Sequence, residues 1–144
     1  MAHIVRTVST TWTVEQAFAY MADFSNAAEW DPGVAHAIRV DGGDIGRGSA
    51  FELTVLIGGR RLPMRYEITD YTPGSVTFSS KTRSLVSVDT VTVTSRAGST
   101  EVTYDARINL RGLLRIVDPL LTLGFRGVAN RAIRRLEQRL AQAA

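Results

Sequence analysis

Apolar and polar positions alternate with a period of two from Val34 to about Gly112, and a helical period appears only near the two ends of the chain. The alternation is interrupted at Gly42-Gly43, Gly58-Gly59, Pro73-Gly74 and Ala97-Gly98-Ser99, and it reads as six strands joined by tight turns. Connections this short imply consecutive antiparallel pairing, because parallel neighbours need long crossovers. One face of the resulting meander carries Phe51, Leu53, Val55 and Ile57, then Leu62, Met64, Tyr66 and Ile68. Val76 and Phe78 continue it, followed by Val102, Tyr104, Ala106, Ile108 and Leu110. That face is expected to be buried.

Ahead of the meander, residues 3–11 are rich in β-branched types and read as a further strand. Thr13 and Gln16 then form a capping box that opens a helix from Val14 to about Ala22, with Val14, Ala17, Phe18 and Met21 on one stripe. Ser25 reads as the cap of a second short helix ending near Trp30, and Asp31-Pro32-Gly33 as a turn. Behind the meander, Asp118-Pro119 places an N-cap before a proline, so a long helix begins there and runs to the C-terminus. Its apolar stripe is Leu121, Phe125, Val128, Ala132, Leu136 and Leu140, with Arg131, Arg134, Arg135 and Arg139 on the solvated remainder. The fold class expected is α+β: a curved seven-stranded antiparallel sheet wrapped around a long C-terminal helix, as one domain over residues 1–144.

Composition narrows the chemistry. The 144 residues include 44% hydrophobic and 22% charged positions, which fits a globular domain able to bury its own core. There is no cysteine, so disulfides, thiolate metal sites and a cysteine nucleophile are excluded. The net charge is only +3, but the segment from residue 111 onward carries seven Arg against two acids. Without interleaved aromatics for base stacking, that run reads as a solvated helix face, and no nucleic-acid partner is expected. The start of the chain lacks the pattern of a signal peptide, and the most apolar stretch is broken by Arg115 and Asp118. A cytoplasmic protein without a membrane span is expected.

The segments VEQAFAYMADFSNAAEWDPGV, GRGSAFEL, MRYEITDYTPGSVTF and GSTEVTYDARINLRGLLRIVDPLL, in that order, resemble the START-like, birch-pollen-allergen-like helix-grip superfamily (SRPBCC), in its polyketide cyclase/dehydrase-like branch. The resemblance covers nearly the whole chain. It implies a hydrophobic cavity between the concave sheet and the long helix, used by different members for lipids, sterols, hormones, quinones or polyketide intermediates. It supplies no catalytic motif, so site residues must come from the sequence itself.

The wall residues expected from parity are Phe51, Leu53, Met64, Tyr66, Phe78, Tyr104, Leu121 and Phe125, with Trp30 at the entrance or packed as a core plug. Tyr66, Tyr104 and Ser80 are the polar anchors, since inward hydroxyls need partners. Two residues are candidates for proton transfer. Asp89 shares the parity of Val91 and Val93, although a β-bulge between Val88 and Val91 would instead put it in water. His36 lies in register with Val34, Ile38 and Val40 on an apolar face. His3 and His36 have no carboxylate at metal-ligand spacing, and no phosphate-binding loop or nucleophile elbow occurs, so neither metal nor cofactor is expected.

Three function classes remain. The first is binding of a small hydrophobic or amphipathic molecule, lipid-, polyketide- or isoprenoid-like. The second is a polyketide aromatase/cyclase or dehydratase working in the same cavity, and the third an interaction module whose interior is filled by its own side chains. Homodimerisation is compatible with each.

Overall fold

The computed structural model describes residues 2–57, 59–112 and 118–144, with side chains in the last helix from residue 123 onward. The first strand, β1 (Ala2–Thr10), buries Ala2, Ile4, Val8 and Thr10, with Arg6 part-buried between them, and leads into Thr13, which decides where the chain turns helical. Thr13 Oγ1 accepts from the Gln16 N–H at 3.1 Å, and Gln16 Oε1 accepts from the Thr13 N–H at 3.0 Å. These two bonds satisfy donors that a helix start leaves orphaned, and they open α1 (Val14–Ala22) where the sequence expects it. A single 3-10 turn, Phe24–Asn26, follows. Its cap is Asp23, not Ser25: the Asp23 carboxylate accepts from both the backbone N–H and the hydroxyl of Ser25. The chain then makes α2 (Ala27–Trp30) and reverses at Asp31, whose Oδ1 accepts from the Gly33 N–H at 2.8 Å.

Six strands come next: β2 (Val34–Arg39), β3 (Ala50–Ile57), β4 (Arg60–Thr72), β5 (Ser75–Lys81), β6 (Leu85–Arg96) and β7 (Ser99–Leu110). They pair consecutively and antiparallel, and β1 closes onto β7, so the curled sheet has the order β1-β7-β6-β5-β4-β3-β2. Four of the turns coincide with the Gly and Pro breaks. The fifth, between β5 and β6, contains neither residue and is built by Thr82, whose Oγ1 accepts from the N–H groups of Ser84 and Leu85. Thr82 therefore serves the turn and does not extend the inward row.

Register corrects one expectation about side-chain direction and decides another that the sequence leaves open. In β2 the pairing shifts between Val34 and His36, so Val34 is buried but His36 is exposed, along with Ile38 and Val40. An extra residue in one strand reverses the faces of everything beyond it, and His36 is thereby removed from the interior. In β6 the opposite holds. Pairing with β7 runs without a shift from Leu85 opposite Leu110 to Arg96 opposite Ser99, so the bulge that would have exposed Asp89 is absent and its side chain points inward.

The interior is densest where α1 and the 3-10 turn meet the sheet. Phe24 stacks on Phe78 with centroids 4.1 Å apart and meets the ring of Tyr66 edge-on at 5.1 Å. Phe51 stands edge-on to Phe78 at 6.0 Å, and both are fully buried. The last helix, α3 (Asp118–Leu140), packs against β1 and α2 through Ala132, Leu136 and Leu140. Its end is tied down by the Thr10 hydroxyl, which donates to the Leu140 carbonyl at 2.7 Å, and by Trp12 Nε1, which donates to the Gln142 carbonyl at 2.7 Å.

Arg131, Arg134 and Arg135 are exposed as expected, but Arg139 is not part of that solvated face. Its guanidinium lies 5.1 Å from the ring centroids of both Trp12 and Tyr20 and 3.5 Å from the Glu29 carboxylate, which also accepts the Tyr20 hydroxyl at 2.8 Å. One side chain thus joins α3 to α1 and α2. Two cation–π contacts plus a half-exposed ion pair sum to about 1–2 kcal/mol. Arg139→Ala is expected to lower unfolding stability by that amount in a urea titration, with an unchanged slope.

Candidate functional site

Two neighbouring rows of inward residues cross the curled sheet. In the first, Phe51 on β3 pairs with Tyr66 on β4, and Ser80 on β5 pairs with Ser87 on β6, which in turn faces Ile108 on β7. In the second, Ile68 pairs with Phe78, Phe78 with Asp89, and Asp89 with Ala106. Parity predicts Tyr66, Ser80 and Tyr104 inward, and the structure places them there.

Polar groups set into an apolar face must find one another, and here they form a chain. The Tyr66 hydroxyl donates to Ser87 Oγ at 3.0 Å, and Ser87 Oγ donates to Asp89 Oδ1 at 3.4 Å. From the other side, the Tyr104 hydroxyl donates to Asp89 Oδ2 at 2.8 Å. Trp30 is 3% exposed and stands edge-on to Tyr104 with centroids 5.4 Å apart, so it covers this network from the α2 side. Ser80 Oγ is buried beside Ser87 with no hydrogen-bond partner among the described residues.

The electrostatics follow from burial. Burial pushes the Asp89 carboxyl up to about 7, helped by the charges of Asp31 and Asp105 and opposed by the bonds from Tyr104 and Ser87. Asp31 is pushed up to about 6, again chiefly by burial, against the lowering effects of the Gly33 N–H and Arg135. The phenols of Tyr66 and Tyr104 are driven far above their ordinary range by burial and by the charge of Asp89. Asp89 on the inner face and Asp31 at the end of α2 thus both hold their protons to higher pH than ordinary carboxyls, beside two phenols that stay protonated. Such groups can orient a ligand by hydrogen bonds and can exchange protons with it.

Exposure varies along the inner face. Val91, Val93 and Val102 are fully buried at one end, whereas Ala106, Ile108 and Leu110 on β7 and Val55, Ile57 and Leu62 on β3 and β4 share the inward direction and are only part-buried. Solvent thus reaches the concave face at the second end, with Tyr104 and Asp89 at the boundary. Phe125 and Val128 of α3 are part-buried as well. A groove of about 400 Å³ on the opposite face, lined by Val86, Val88, Thr90, Asp105, Arg107 and Asn109, is not connected to this network by parity.

The expected wall residues divide accordingly. Leu53 and Met64 are buried in the inner face, while Phe51 and Phe78 are locked into the aromatic cluster with Phe24. Leu121 lies outside the residues whose side chains are described. Three participants are not read from the sequence. Ser87 shares parity with Asp89 and was legible by the same argument. Asp31 reads as a turn former, and Phe24 falls in a segment with no periodicity.

A family model described as polyketide cyclase/dehydrase and lipid transport matches residues 1–141. No curated protein matches the sequence. Solved structures similar in fold include a START superfamily protein from Mycobacterium smegmatis, 15% identical with a TM-score of 0.78, covering 97% of each chain. The Zhui aromatase/cyclase from a Streptomyces species is 12% identical with a TM-score of 0.72, covering 96% of this chain and 90% of its own. Major latex-like protein 151 from Panax ginseng is 13% identical with a TM-score of 0.69, covering 98% of each chain.

Proposed function

The chain belongs to the polyketide cyclase/dehydrase and lipid transport family, and from that premise we propose that it binds a small hydrophobic or amphipathic molecule between the curled sheet and α3. The observation that carries this reading is the inward network of Tyr66, Ser87, Asp89 and Tyr104, set into an otherwise apolar face at the boundary with its water-reached end. Burial of apolar ligand surface, at roughly 25 cal/mol per Å², supplies the affinity. The hydroxyls and Trp30 orient the ligand's polar end. Leu53, Met64, Tyr66 and Tyr104 form the sheet wall, with Phe125 on the helix side.

A second reading, an aromatase/cyclase or dehydratase, is favoured by one feature: a carboxyl group poised near neutrality and hydrogen-bonded to a phenol. In that reaction Asp89 takes a proton from the carbon between two ketones of a substrate chain. The enolate adds to a further carbonyl of the same chain, and the protonated Asp89 returns its proton to the new alkoxide. Elimination of that hydroxyl with a neighbouring hydrogen then releases water.

Comparing native and denaturing mass spectra of freshly purified protein tests the binding reading. The expected result is a small-molecule adduct that leaves on denaturation and is lost from a Tyr66→Phe/Tyr104→Phe variant. A purified protein with no adduct that also fails to retain any added amphiphile sinks it. An added poly-ketone chain that loses the mass of one water only in the presence of wild-type Asp89 moves the reading to catalysis.

A further inference from the structure

We propose that this inner site selects its ligand by charge and hydrogen-bond sense: it takes an amphiphile whose polar end is a neutral or cationic hydrogen-bond donor, and it turns away a carboxylate of the same shape. The inference rests on the reading of the inner face as a ligand site. It comes from following each proton in the network. Tyr66 gives its proton to Ser87, Ser87 gives its proton to Asp89 Oδ1, and Tyr104 gives its proton to Asp89 Oδ2. Every donor in the chain points along it toward one carboxyl group. What remains on Tyr66, Ser87, Tyr104 and Asp89 for a ligand is lone pairs, so the network presents itself as acceptor.

Charge works in the same direction. Asp31, at the end of α2, adds its charge to that of Asp89 at both phenols. Among the described residues, no Lys or Arg pairs with Asp89. Arg6 on β1 donates to Asn130 Oδ1 and to the Val5 carbonyl, and Arg135 on α3 acts on Asp31. Asp89 has only Tyr104 and Ser87 as partners among the described residues. A ligand carboxylate would bring acceptors to acceptors and a further negative charge into a low-dielectric space. A protonated amine or a hydroxyl brings what is missing.

The test uses three rigid probes of one shape: naphthalene carrying a hydroxyl, an aminomethyl or a carboxylate group at the same ring position, titrated calorimetrically into the full chain at pH 8. The hydroxyl and aminomethyl probes are expected to bind, and the carboxylate at least about tenfold more weakly. Asp89→Asn is expected to shrink that gap at least about threefold, since one of the two carboxylates is gone. A carboxylate bound as tightly as the hydroxyl probe, or a gap that Asp89→Asn leaves untouched, overturns the charge inference and leaves the binding reading standing. Failure of all three probes to bind overturns the binding reading and the inference with it.

Discussion

Replacing Asp89 with Asn should make the protein more stable at pH 8, by on the order of 3 kcal/mol, and should do nothing at pH 4. The sign follows from where the proton sits. In the unfolded chain Asp89 loses its proton near 3.8, whereas burial holds the proton on the folded carboxyl to about 7. Between those values the native state binds one more proton than the unfolded state, so stability falls as pH rises through this window and is level above it. Each pH unit removes about 1.4 kcal/mol, which sets the size of the effect. Asn keeps the shape, accepts from Tyr104 and cannot ionise. Asp31, held to about 6, contributes a smaller loss of the same sign and stays in the variant. Urea unfolding of both proteins from pH 4 to 9 should give curves that coincide in acid and separate toward pH 7. Curves that stay parallel would mean that Asp89 is solvated in the folded protein.

That stability cost is itself informative. A fold selected only for a filled interior would place an apolar residue opposite Phe78 and Ala106, and removing a buried charge in favour of apolar packing is commonly neutral or stabilising. Keeping an ionisable group there, with Ser87, Tyr104 and Tyr66 arranged to serve it, costs free energy that a scaffold does not need. Local departures from the rules of packing of this kind concentrate at functional sites.

Local chemistry explains why most of the architecture was legible. The Thr13–Gln16 box fixes a helix start through two hydrogen bonds that span three residues, and the alternation from Phe51 to Leu110 fixes faces because a strand has period two. Tyr66, Ser80 and Tyr104 follow from the same parity. The failures arise where one residue's insertion decides everything after it. A bulge moves His36 outward in β2, and the lack of one keeps Asp89 inward in β6; valines on both registers of β6 made its sequence compatible with either outcome. Arg139 was assigned to solvent because its partners, Trp12, Tyr20 and Glu29, lie more than a hundred residues away and become visible only when the helix docks. Phe24 sits in a single 3-10 turn, too short to show a period, yet it stacks on Phe78 at the centre of the core.

That stack leads to the second large effect. Phe78→Ala should cost about 3–5 kcal/mol of unfolding stability, while Ile108→Ala, on the same inner face, should cost about 1 kcal/mol or less. Phe78 has no exposed surface and touches aromatic rings on two sides, so truncation leaves a cavity that Phe24 and Phe51 cannot close without abandoning their own contacts. Ile108 points the same way two positions past Ala106 but is already part-exposed, so the atoms removed were never fully withdrawn from water. The contrast divides one apolar face into a half that holds the fold together and a half that water reaches. On the proposed binding reading it also predicts unequal responses to occupancy: a retained molecule should raise the stability of wild type and of Phe78→Ala equally, and raise that of Ile108→Ala less, because only Ile108 lies on the water-reached part of the inner face. Denaturant titrations of the three proteins with and without the retained molecule measure this directly. Equal losses for the two substitutions would mean that the inner face is packed uniformly from end to end, as an interaction module with a filled core requires.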